Sequence, residues 1–90
     1  MDGAIRINER VEVLATYHTG VDVGRLCMPA KMRWRNQLIT FSELGLRHPT
    51  SQGRRMIHVF DVSDGSNDYR LEFDAEGLTW TLMEVWGRLS

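Results

Sequence analysis

The chain has 90 residues, of which 42% are hydrophobic and 26% are charged, and its formal net charge is −1 at pH 7. This length suits one domain around one core, and the apolar content is higher than that of disordered chains. The near-neutral total argues against strong non-specific binding to polyanions. We therefore expect a single domain over residues 1–90, ordered over about residues 5–86.

The single cysteine, Cys27, has no second cysteine with which to form an internal disulfide, and this favours a reducing compartment. Charged side chains interrupt the first fifteen residues, which is not typical of a signal peptide. No apolar run approaches the roughly 20 residues needed to span a bilayer. We therefore expect a cytoplasmic protein that has no membrane partner.

Residues 5–17 alternate apolar and polar side chains, broken only at Glu9 and Leu14. A period of two indicates a strand, so we predict one long strand, bent at Glu9. Residues 18–28 contain two glycines without a clear period, and they predict a loop.

A second alternation covers residues 30–35, with Ala30, Met32 and Trp34 on the core side. Asn36-Gln37 is the predicted two-residue turn, and residues 38–41 return as a strand. Residues 42–45 either continue the strand or form one helical turn capped by Ser42. Residues 48–53 have the composition of an exposed loop.

Residues 54–86 predict three antiparallel strands joined by two tight turns. The first turn is Asp64-Gly-Ser-Asn, and the second is Asp74-Ala-Glu-Gly, with Gly77 in the left-handed region. In the last strand we expect Leu78, Trp80 and Leu82 on the core side. Apolar residues on its second face indicate either a bulge near Leu82 or burial of both faces.

The predicted fold is therefore all-β: a small six-stranded antiparallel barrel or strongly curled sheet, SH3-like in size, with at most one helical turn. We expect the following residues in its core: Ile7, Val11, Val13, Met32, Trp34, Val59, Phe60, Leu71, Phe73, Trp80 and Leu82.

Four segments carry a resemblance: PAKMRWRNQL at 29–38, VSD at 62–64, YRLEFD at 69–74 and WTLMEVW at 80–86. Over residues 5–86 the chain resembles a widespread family of small bacterial all-β proteins of unknown function. Related modules look like the C-terminal module of some actinobacterial Y-family-polymerase-like proteins, which act in DNA-damage tolerance. The resemblance implies the fold and no catalytic residue. The chain departs from the family pattern at Asn36-Gln37, where Gly-Arg or Gly-Lys is usual, and at Thr40, where an aromatic residue is usual nearby.

Charge is unevenly distributed along the chain. Residues 25–55 hold seven basic side chains and one acidic one, whereas residues 61–86 hold seven acidic and one basic. One hypothesis is a nucleic-acid site. In such a site, outward cations spaced like successive phosphates contact the phosphate backbone of the nucleic acid, and Phe41 stacks on a base. Its candidate residues are Lys31, Arg33, Arg35, Arg47, Arg54 and Arg55. The alternative is that these cations pair with Asp68, Glu72 or Glu84 and stay solvated.

A competing hypothesis is protein binding or self-assembly. Trp86 ends the last strand and is a candidate interface anchor, unless it caps the core. The oppositely charged segments could also meet across an antiparallel homodimer.

The sequence offers little for catalysis or cofactors. His18, His48 and His58 are not at metal-ligand spacings, and Cys27 lies between apolar neighbours. There is no nucleophile elbow and no Gly-rich phosphate loop. We therefore expect no enzyme activity, metal or cofactor. The predicted function is a non-catalytic interaction module for an unknown protein or a second copy of itself, and the alternative is a nucleic-acid-binding accessory protein.

Overall fold

The computed structural model is one antiparallel sheet of seven strands, curled into a half-barrel. It describes residues 3–16, 28–52 and 55–87, with the backbone alone described over 45–52 and 55–56. Residues 18–27 of the predicted loop at 18–28, together with Tyr17 and Arg54, lie outside the described residues, and Met28 lies in a strand. The predicted all-β class is confirmed.

The sheet order is β3-β2-β1-β7-β6-β5-β4, and every neighbouring pair is antiparallel. The strands are β1 (Ile5–Thr16), β2 (Met28–Trp34), β3 (Gln37–Thr40), β4 (Glu43–Gln52), β5 (Arg55–Ser63), β6 (Asn67–Asp74) and β7 (Thr79–Gly87). The predicted meander is present as β5, β6 and β7.

The curl is closed at one point by the chain itself. β3 and β4 lie at opposite ends of the sheet order, yet only Phe41 and Ser42 join them. The Phe41 amide donates to the Ala30 carbonyl of β2 at 2.9 Å, and the Ser42 amide donates to the Ser63 carbonyl of β5 at 2.8 Å. Two successive residues therefore bond to strands near opposite ends of the sheet, which brings these ends together.

β4 is the strand that the sequence pattern missed. The backbone of residues 43–52 pairs with β5, so the helical turn offered as one alternative for residues 42–45 is absent, and the loop predicted over 48–53 is wrong at 48–52. The composition is loop-like, but β4 lies at the sheet edge, where proline is tolerated because its missing N–H is not needed by a neighbouring strand. The sheet therefore has seven strands and not the predicted six, because β4 is added to the strands that were predicted.

The two hairpin turns of β2–β3 and β6–β7 are each displaced by one residue from their predicted positions. Trp34 pairs with Gln37, and Arg35 and Asn36 take φ values of 52° and 65°, typical of a type I′ turn. This register keeps Met32 opposite Ile39, with both side chains buried.

In the β6–β7 turn, Leu78 and not Gly77 has positive φ, at 57°. The Leu78 amide donates to the Asp74 carbonyl at 2.7 Å, and the Asp74 carboxylate accepts the amides of Glu76 and Gly77. The turn therefore extends through Leu78. The Leu78 side chain is 73% exposed, so the prediction that it lies on the core side is wrong.

Both expected irregularities of the long strands are confirmed. β1 shifts register against β7 between Arg6 and Glu9, where Asn8 has a φ of 56°. β6 shifts against β7 so that Arg70 pairs with Glu84 and Leu71 with Leu82, which leaves Met83 as the bulged residue.

The core lies on the inner face of the sheet. Val11, Met32, Phe60, Leu71, Trp80 and Leu82 are buried as predicted, and Ile7, Val13, Trp34 and Phe73 pack partly buried against them. Val59 is outside this cluster because it pairs with Glu72 on the face opposite to Phe60. The predicted core omitted four hydrophobic residues that are buried in the described part of the chain: Ile39, Ile57, Val62 and Tyr69.

Candidate binding surface

The outer face of β1, β2 and β3 carries two cross-strand rows of side chains. One row is Leu38, Arg33 and Glu12, and the other is Thr40, Lys31 and Leu14. Their strand neighbours Val13, Met32 and Ile39 face the core, so these six side chains face away from it. We refer to these six residues as the β1–β3 surface.

Two leucines are prominent on the β1–β3 surface. Leu14 is 62% exposed and Leu38 is 60% exposed. They border an open concavity of about 380 Å³ that is also lined by Glu12, Lys31 and Arg33. Burying a leucine side chain fully is worth about 1.5–3 kcal/mol, so a partner covering both would gain substantial binding free energy.

The cations of the β1–β3 surface are accessible. Arg33 Nε is 3.9 Å from Glu12 Oε1, and both side chains are largely exposed. A solvated pair at this distance contributes little, so it leaves Arg33 available to a partner carboxylate. Lys31 lies between Leu14 and Thr40, its neighbours on the adjacent strands. The result is an apolar and cationic patch.

Arg35 does not belong to this row, contrary to the predicted stripe, because β2 ends at Trp34 and Arg35 lies in the turn. Its Nη2 is 2.7 Å from Glu9 Oε2, and its guanidinium lies 4.7 Å from the centroid of the Trp34 ring. Trp34 Nε1 donates to the other Glu9 oxygen at 3.0 Å. The hydrogen bond from Arg35, followed by that from Trp34, lowers the pKa of Glu9, and Glu9 in turn raises the pKa of Arg35.

The other predicted cations do not extend the row on adjacent strands. Arg47 lies on β4 and Arg55 on β5, and β1, β7 and β6 separate β2 from β5 in the sheet order. Of the six predicted nucleic-acid contacts, the described side chains place only Lys31 and Arg33 side by side on one face. The acidic partners also differ from the predicted ones: Arg33 and Arg35 pair with Glu12 and Glu9, because β2 neighbours β1 and not β6.

The two predicted aromatic contacts lie elsewhere. Trp86 is half-buried on β7, opposite Asp68, beside a concavity of about 250 Å³ that Arg70 and Glu84 also line. Phe41 packs half-buried against the core, with its ring centroid 5.7 Å from that of Tyr69.

The acidic groups near the β5–β6 turn have structural contacts. Arg70 donates to both oxygens of Asp61, at 2.8 and 3.0 Å. The Asp64 carboxylate accepts the amides of Ser66 and Asn67 and the Tyr69 hydroxyl, each at 2.8 Å.

These contacts shift two pKa values. Burial acts to raise the pKa of Asp64, but the hydrogen bonds from Asn67, Ser66 and Tyr69 together outweigh it and lower the pKa below its ordinary value of 3.8. Burial, together with the neighbouring Asp64 carboxylate, raises the pKa of Tyr69 to about 12.

The described part of the chain lacks a metal-binding cluster and a membrane-spanning helix. It contains no cluster of three or more His, Cys, Asp or Glu residues placed to hold a metal ion. Over the same ranges, no helix has the length and apolarity that a membrane crossing requires.

No protein-family model, curated protein or solved structure matches the chain. The resemblance to small bacterial all-β proteins therefore stays a prediction.

The sequence pattern missed the two exposed leucines as binding residues, although a signal was present. Leu14 breaks the alternation of β1 by placing an apolar side chain at a polar position, and Leu38 is apolar beside Ile39, which takes the core side. An apolar residue on the polar face of a strand indicates either a second covered face or a contact surface.

Proposed function

We propose that this chain is a non-catalytic protein-binding module and that the β1–β3 surface is its contact site. The observation that carries the proposal is the exposure of Leu14 and Leu38 on either side of Lys31 and Arg33. Apolar anchors beside accessible cations suit a protein partner with apolar and acidic side chains, because desolvated apolar contacts supply affinity and charge pairs supply orientation.

The same geometry gives less support to nucleic-acid binding. Single-strand binding sites combine several free cations with exposed aromatic rings. Here Arg35 is engaged by Glu9, Arg33 has Glu12 beside it, and Phe41 packs against Tyr69. Exposed leucines contribute nothing to phosphate recognition. Covering them with apolar side chains of a protein partner lowers the free energy, because it removes apolar surface from water.

Structural roles for the acidic groups support a non-catalytic function. Asp61 is held by Arg70, Asp64 by the β5–β6 turn, and Glu9 by Arg35 and Trp34. The pKa values of Asp64 and Glu9 are lowered, whereas general acid–base catalysis at neutral pH needs a carboxyl group whose pKa is raised.

Selection of peptide ligands tests the proposal. A random octapeptide library is panned against the wild-type chain, and each selected peptide is titrated against the double variant Leu14→Ser/Leu38→Ser and the control Ile5→Ser. Ile5 is 60% exposed but begins β1 opposite Val85, at the far end of that strand from Leu14. We expect the double variant to bind at least tenfold more weakly, because it lacks both apolar anchors, and the control to bind like wild type.

Two results would overturn the proposal. One is selected peptides that bind the double variant as tightly as the wild type. The other is no selected peptide together with micromolar binding of single-stranded DNA or RNA that weakens steeply with salt, which would favour phosphate contacts.

A further inference from the structure

β3 is an edge strand whose hydrogen-bonding direction can be assigned. The Phe41 amide bonds to the Ala30 carbonyl, so Ala30 and Phe41 form a hydrogen-bonded pair of the β2–β3 ladder. Such pairs alternate in antiparallel sheets, so Ile39 and Gln37 also bond to β2. The N–H and C=O groups of Leu38 and Thr40 therefore point away from β2, towards the edge of the sheet.

This edge is accessible at the residues that matter. Leu38 and Thr40 are both exposed, and in the described part of the chain β3 pairs with β2 alone. An exposed edge with aligned backbone groups is a template for a further strand.

We propose that an extended segment of a partner protein adds antiparallel to β3 as an eighth strand. This inference rests on the proposed function, and it specifies the binding mode and the chemistry of the partner. Backbone hydrogen bonds to Leu38 and Thr40 supply affinity, and side chains on the outer face supply specificity.

Charge on the β1–β3 surface defines the partner segment. In an antiparallel ladder, partner residues opposite Leu38 and Thr40 direct their side chains to the same outer face. Arg33 and Lys31 lie one strand further on, about 10 Å from the added strand, which is within the combined reach of a glutamate and a long cationic side chain. The segment therefore has two acidic residues separated by one residue, in an acidic–apolar–acidic pattern.

The test uses fluorescein-labelled peptides and the unmodified protein. The probe is (Val-Glu)4, and the charge-reversed control is (Val-Lys)4. In the added strand, the glutamates lie opposite Leu38 and Thr40, and their backbone N–H groups point towards β3. N-methylation of the glutamates therefore removes the hydrogen bonds to β3. N-methylation of the valines leaves these bonds intact, because the valine N–H groups point away from β3.

We expect (Val-Glu)4 to bind at least tenfold more tightly than (Val-Lys)4, and glutamate N-methylation to weaken binding at least tenfold while valine N-methylation changes it less than threefold. Arg33→Glu should also weaken binding of (Val-Glu)4.

Equal affinity of the two N-methylated peptides would overturn strand addition. If Leu14→Ser/Leu38→Ser still weakened binding in that case, the proposed function would stand without this binding mode. Failure of (Val-Glu)4 to bind, with octapeptides selected through the two leucines, would overturn the inference alone.

Discussion

Asp64 shows how a single side chain organises a turn. Its carboxylate accepts two turn amides and the hydroxyl of the buried Tyr69, so it connects the β5–β6 hairpin to the core. The sequence indicated a turn here because aspartate readily accepts hydrogen bonds from nearby amides. It gave no sign of the bond to Tyr69, which depends on a side chain five residues away being turned towards the same end of the sheet.

Replacing Asp64 should therefore lower stability in a pH-dependent way. Asp64→Asn removes the charge that strengthens three hydrogen bonds, and we expect a loss of about 1 kcal/mol in the free energy of unfolding at pH 7. The pKa of Asp64 is depressed on folding, so its contribution is present above pH 3.8 and is lost as the pH falls through the folded-state pKa. Urea titrations from pH 7 to pH 2.5 should show wild type and variant converging below pH 3.8. A difference that stays constant over this range would contradict the account.

Leu78 is a second residue whose backbone decides its role. Its φ of 57° is unfavourable for a leucine, and its side chain is 73% exposed. We expect Leu78→Gly to raise the free energy of unfolding by about 0.5–1 kcal/mol, after allowing for the greater freedom of glycine in the unfolded chain. Leu78→Ala keeps the unfavourable conformation and should change stability little. Thermal unfolding of the three proteins checks the order, and a glycine variant less stable than the alanine variant would refute it.

At the scale of elements, the predictable strands were those with one polar and one apolar face. β6 alternates over Tyr69 to Phe73, and the structure buries Tyr69 and Leu71 as this alternation requires. β4 carries no such pattern in its sequence, and its backbone pairs with β5. β5 is apolar on both faces, so the pattern could not tell that Phe60 and Val62 face the core while Val59 does not.

The bulge in β7 gives neighbouring residues different environments, which can be measured. Leu82 is fully buried at 0% exposure, whereas Met83 is the bulged residue and is only half-buried. Leu82→Ala should cost about 3 kcal/mol because it removes buried methyl groups and leaves a cavity. Met83→Ala should cost clearly less. Denaturant titrations of both variants provide the test, and equal losses would mean that the register of β6 and β7 differs from the one described.

At the scale of the whole molecule, the uneven distribution of charge along the sequence indicated the cations of the β1–β3 surface but not its leucines. It drew attention to Lys31 and Arg33, which lie on one face of β2, but the turn removes Arg35 from the stripe, and Arg47 and Arg55 belong to strands that are remote in the sheet order. The order of the strands in the sheet determines these separations, and the distribution of charges along the sequence does not reveal that order. The leucines complete the surface: the sequence places Leu14 at a polar position of β1, but only the pairing of β1, β2 and β3 brings it to the same face as Leu38.

We propose that a protein partner binds the β1–β3 surface. Amide chemical shifts in ¹H–¹⁵N NMR spectra, recorded with and without a selected octapeptide, test it most directly. We expect the largest shifts at Leu14, Lys31, Arg33, Leu38 and Thr40, with small changes in β5 and β6 and at Trp86. Shifts concentrated around Trp86 and Arg70, with the β1–β3 surface unchanged, would contradict the account.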